Sequence, residues 1–175
     1  MKKTLQTFTL LVATLILSVT PCFSAEEAPQ KPKVGDIAQD FTLKSRTGEN
    51  IRLRELRGNF VLVHFWSSWS GTSRRLVNQF EALYQTEKEN DFKVLSINID
   101  PEKSLNMIEN LNAEHSVLLD QNKFASKNFQ ISNIPSIYLL DRSGKFILVL
   151  EGYDPLYYQV TENKLKQALV AEAAE

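Results

Sequence analysis

Seven consecutive residues, Phe60-Val-Leu-Val-His-Phe-Trp66, are apolar but for His64. A strand with one face in water alternates apolar and polar side chains, so an unbroken run of this kind reads as a strand buried on both faces. Phe92 to Ile99 is a second such run, ended by Asp100-Pro101. Between them Leu76, Val77, Phe80, Leu83 and Tyr84 recur at helical spacing, with Ser73 as a candidate N-cap.

The remaining signals fit around this pair. Phe41-Thr-Leu and Asn50-Ile-Arg-Leu flank a turn at Arg46-Thr-Gly48, which predicts a small N-terminal hairpin. Leu53 to Arg57 reads as a short helical turn stopped by Gly58. Leu105, Ile108 and Leu111 mark a helix, Val117 to Leu119 a short strand, and Phe124 to Phe129 a short helix. Ser136 to Leu140 and Phe146 to Leu150 flank Asp141-Arg-Ser-Gly144, a strong hairpin turn, and Leu165 and Leu169 pattern a last helix. Strands alternating with helices and closing in a hairpin predict an α/β domain, a mixed central sheet flanked by helices.

The first residues read as an export signal. Met1-Lys2-Lys3 is a short basic start, Leu5 to Val19 is uncharged, and Pro21, Cys22 and Ser24 supply a helix break and small residues. Cleavage is expected after Ser24, with Ala25 as the close alternative; a lipoprotein box at Cys22 and an uncleaved anchor fit less well. The expected organisation is a signal peptide over 1–24, a polar lead-in over 25–33 and one domain over 34–175. Lys2 and Lys3 leave with the signal, so 18 of the 20 basic residues remain against 21 acids. That balance excludes nucleic acid as an expected partner. Cys22 is the only cysteine, so the mature chain is expected to be free of thiols in a compartment where disulfides form.

The order Gly35-Asp-Ile-Ala-Gln-Asp40-Phe-Thr-Leu, Gly48, Leu53-Arg-Glu-Leu-Arg-Gly58 and Phe60 to Trp69 resembles the opening of the TlpA/ResA-type periplasmic thioredoxins. The likeness continues through Val117 to Asp120, Ile134-Pro135-Ser136, Asp141 to Lys145 and Gly152-Tyr153, over roughly residues 34–170. It implies a thioredoxin fold with an N-terminal β-hairpin extension, and a periplasmic address. The family's chemistry sits in a Trp-Cys-x-x-Cys motif at the start of the first long helix, where exposed N–H groups and the helix dipole stabilise a thiolate. Here the matching residues are Trp69-Ser70-Gly71-Thr72-Ser73. A serine hydroxyl does not ionise usefully near neutral pH and forms no disulfide. Leu76 and Asn78 stand where the family usually has Glu and Pro. The resemblance therefore implies a redox-inactive member.

Ser70 and Ser73 as nucleophiles would need a base, and His64 is the nearest candidate; the simpler reading makes Ser73 a cap, Ser70 a filler of cysteine-sized space and His64 a satisfied core histidine. Arg74 and Arg75 beside the serines suit an anion at a helix N-terminus. His64 and His115 are too few for a metal site, and no cofactor is expected. The resemblance implies that the bond before Pro135 is cis and that the backbone of Ile134 is open to strand-type pairing with an extended peptide. Trp66 reads as core and Trp69 as an aromatic platform at the groove edge. The expected site is Trp69, Gly71, Thr72, Ile134 and Pro135, binding a peptide or exported protein non-covalently. Two other readings stay open: an oxidoreductase whose cysteines were exchanged for serine, and a serine-assisted enzyme acting on bound glutathione.

Overall fold

The computed structural model describes residues 31–100 and 105–173; the expected signal segment and most of the lead-in lie outside them. The first two strands of the described residues form a hairpin, β1 (Thr42–Ser45) and β2 (Asn50–Arg52), followed by a 3-10 turn over Leu53–Leu56. The main body follows as β3 (Phe60–Trp66), α1 (Gly71–Glu87), β4 (Phe92–Asn98), α2 (Leu105–Glu109), β5 (Ser116–Leu119) and α3 (Phe124–Asn128). A second hairpin, β6 (Ser136–Leu140) and β7 (Phe146–Glu151), leads into α4 (Tyr157–Glu172).

Among the described residues, seven strands form one sheet in the order β2-β1-β5-β4-β3-β6-β7. β3, β4 and β5 run parallel, while β6 is antiparallel to β3 and β1 antiparallel to β5. The N-terminal hairpin is thus continuous with the main sheet rather than appended to it. β3 occupies the position its composition demands: every one of its seven residues is buried. Alternate side chains serve opposite faces. Phe60 and Leu62 pack with Phe80 and Leu83 of α1 and Leu165 of α4, whereas Val61, Val63 and Phe65 pack with Phe129, Tyr138 and Phe146 across the sheet.

Two local expectations are corrected. The long helix starts at Gly71, with Ser70 rather than Ser73 as its N-cap. Ser70 holds an extended backbone (φ −90°, ψ 107°), which is the cap geometry, and its hydroxyl satisfies one of the free N–H groups of the first turn. α2 ends at Glu109, so Leu111 lies beyond it; Arg46 donates to the carbonyls of Ile108, Leu111 and Ala113 and closes off that end.

Candidate functional site

One row of the sheet sets the geometry. Phe65 of β3 pairs with Ser136 of β6, and Ser136 pairs with Glu151 of β7. Three segments leave the sheet from that row: Ser67–Ser70 after β3, Ile134–Pro135 before β6, and Gly152–Tyr153 after β7. Neighbouring strands lie about 4.8 Å apart, so all three share one end of the molecule.

Ser70 and Ser73 have different jobs there. Ser70 is half-buried; its Oγ accepts the N–H of Ser73 at 3.3 Å and lies 3.1 Å from the Thr72 hydroxyl. Ser73 is fully buried, and its Oγ has no hydrogen-bond partner among the described residues. Ser70 is therefore a cap as well as a replacement, not a mere filler of space. Gly71 is exposed and Thr72 half-buried beside it. Trp69, one residue before the cap, is 74% exposed, while Trp66 is completely enclosed. At the start of β6 Pro135 is buried, Ile134 half-buried, and the peptide bond between them is cis. Outside the strand ladders, no backbone hydrogen bond involves Ile134 among the described residues. The expected site residues are thus brought to one end of the sheet.

His64 departs from expectation. It is buried, but neither ring nitrogen has a hydrogen-bond partner among the described residues. Its ring meets Phe80 edge-on at 5.2 Å. Burial, with a smaller contribution from nearby His115, pushes its pKa down to about 3, so it is neutral at neutral pH. It makes no hydrogen bond to Ser70 or Ser73, so the candidate Ser–His dyad does not form.

The best-connected polar group under α1 was not legible as a site. Glu81 of α1 accepts from His115 Nδ1 at 2.6 Å and from the N–H groups of Glu114 and His115 at 3.0 and 3.2 Å. A carboxylate only accepts, so the Nδ1 proton is on the imidazole; the other nitrogen, 2.8 Å from Ser96 Oγ, then accepts from that hydroxyl. Burial pushes the His115 pKa down, Arg46 adds to that, and Glu81 only partly opposes it. At neutral pH the pair is a hydrogen bond from neutral imidazole to carboxylate. The sequence Ser–His–Glu resembles a hydrolase relay in order, but Ser96 is fully buried in β4 and presents nothing to a substrate. It is a clasp between helix and sheet.

Asp100 is the second group that pattern reading missed. It is buried just past β4, accepts from the Ser68 N–H and, at 3.2 Å, from Asn98 Nδ2, while its own N–H donates to Asn98 Oδ1 at 3.0 Å. It thereby pins the loop that carries Trp69. Two carboxamide or carboxylate residues closing an apolar strand, Asn98-Ile-Asp100, are the available signal.

Known proteins agree with this architecture. The AhpC/TSA family model matches residues 34–148. Thiol-disulfide oxidoreductase ResA of Bacillus cereus is 24% identical over 132 residues, covering 74% of this chain and 75% of that protein. ResA of Geobacillus thermodenitrificans is 25% identical over 139 residues, covering 78% and 76%. Among solved structures, a thiol:disulfide interchange protein DsbE of Chlorobium tepidum superposes with a TM-score of 0.73 at 28% identity, over 79% of this chain and 99% of that one. A protein disulfide isomerase of Bacteroides thetaiotaomicron gives 0.70 at 25% identity, over 79% and 91%. The fold is thioredoxin-like and the relatives are thiol-disulfide oxidoreductases of the ResA/TlpA type, whereas this chain carries serine at 70 and 73 and has Cys22 as its one cysteine. The chain belongs to the AhpC/TSA family.

Proposed function

We propose that this chain is an exported, redox-inert member of its family that holds extended peptides without covalent chemistry, through Trp69, Gly71, Thr72, Ile134 and Pro135. The observation that carries the reading is Trp69. An indole three-quarters exposed, at the same sheet end as the open backbone of Ile134, leaves apolar area in water that a bound segment would cover. Covering such a side chain contributes on the order of 1.5–3 kcal/mol, and a strand-type peptide adds main-chain hydrogen bonds. The serines support the redox half of the reading, since neither a cap hydroxyl nor a buried hydroxyl can attack or form a disulfide. Export rests on the basic start, uncharged stretch and small residues of 1–24. Among the described residues no helix is long and apolar enough to cross a membrane.

Disulfide turnover is the direct test of the redox half. The protein is expected to reduce insulin no faster than a heat-inactivated control, and the Ser70→Cys/Ser73→Cys variant to gain turnover. Catalytic reduction by the unaltered protein would overturn it.

A further inference from the structure

The amino end of α1 carries an unanswered positive charge. Arg74 and Arg75 are both exposed, and neither side chain has an ion pair or hydrogen bond among the described residues. They are the i+3 and i+4 neighbours of Gly71, so both lie on the helix face of a residue that has no side chain. A Cβ on Gly71 would sit 3.9 Å from Nη2 of Arg74, which places that guanidinium at the start of the helix. No acid occupies the first turn. The N–H groups of Gly71 and Thr72 make no backbone hydrogen bond outside the helix among the described residues. Asp100, behind the loop, is 6% exposed; its Oδ2 accepts from Ser68 and Asn98, and its buried Oδ1 has no hydrogen-bond partner among the described residues.

Apolar surface borders this charge. Trp69 immediately precedes the cap, and Tyr153, 55% exposed, leaves the same sheet end after β7. We propose that the groove selects extended peptide segments in which acidic side chains alternate with apolar ones. The carboxylates meet Arg74, Arg75 and the free N–H groups of α1, and the apolar side chains meet Trp69 and Tyr153. This inference rests on the peptide-module reading and gives its site a ligand class. The occupant is a side-chain carboxylate within a continuous strand, because strand pairing at Ile134 needs chain on both sides of the contact.

Fluorescence anisotropy with three labelled nonapeptides tests it: one alternating acidic and apolar residues, its isostere with Asn and Gln in place of the acids, and its Lys counterpart, all blocked at the C-terminus. The acidic peptide is expected to bind about tenfold more tightly than the isostere at low salt, with the advantage shrinking as salt rises. Arg74→Gln/Arg75→Gln is expected to bring that ratio close to one. Equal affinity for the acidic peptide and its isostere, or a ratio unchanged in the double variant, overturns the acidic preference. If all three peptides bind with equal affinity and Trp69→Ala weakens each, the acidic preference falls and the peptide module stands. If none binds, both fall.

Discussion

Ser70 Oγ accepts the backbone N–H of Ser73 at 3.3 Å, so the two serines are cap and capped residue rather than two equivalent hydroxyls. A thiol at the first position of this motif would be a nucleophile; the hydroxyl found there is a structural element of α1. Where the family motif carries a thiol, this chain carries a hydroxyl that caps α1.

Ser70→Ala is therefore expected to cost about 1 kcal/mol of stability, the usual value of an N-cap, and Ser70→Asp to retain it. Ser73→Ala should cost less, under about 0.5 kcal/mol, because its buried hydroxyl has no partner to lose. Urea denaturation of the three variants measures this. A Ser73 variant less stable than the Ser70 variant would contradict the assignment.

Glu81 gathers three donors from one loop, and Glu81→Ala leaves all of them without it. The expected loss is about 3 kcal/mol. Hydrogen exchange distinguishes a clasp from a general packing defect: the amides of Glu114 and His115 should lose protection more than those of β6.

Acid should weaken the fold through both histidines. Each has a folded pKa below the usual 6.5, so each is neutral when folded and binds a proton when unfolded. Their contribution is complete above pH 6.5 and is lost as pH falls, in the case of His64 until about 3. Each histidine steepens the decline by about 1.4 kcal/mol per pH unit within its window. The groups facing them are Ser96 on β4, Glu81 on α1 and Arg46 from the β1–β2 turn. His64→Phe should flatten the profile between about pH 6 and pH 4, inside the span from 6.5 down to about 3 over which His64 takes up its proton. At neutral pH it should also be as stable or more so, since it removes a buried ring without hydrogen-bond partners. Thermal melts across this range report both effects, and an unchanged slope would contradict them.

Much of the architecture was legible because it depends on local periodicity. Phe60–Trp66 declared a doubly covered strand, and Asp141-Arg-Ser-Gly144 declared the closing hairpin. Trp69 and Pro135 were located through motif order. What stayed hidden depends on long-range pairing. Nothing near Ser96 in the chain announces His115, and nothing near His115 announces Glu81; only the β4–β5 register and the packing of α1 bring the three together. The cap was misplaced by three residues because Ser70 and Ser73 are chemically identical, and only backbone geometry separates the residue that turns into the helix from the one already inside it.

Non-covalent peptide binding at this end of the sheet is tested most directly by amide and indole NMR shifts on titration with a cysteine-free, extended peptide. Fast-exchange shifts are expected to concentrate at the Trp69 indole N–H, the amides of Ser70 to Ser73 and that of Ile134, with a dissociation constant on the order of micromolar or weaker. Absence of shifts at saturating peptide, or shifts centred elsewhere on the surface, would contradict it.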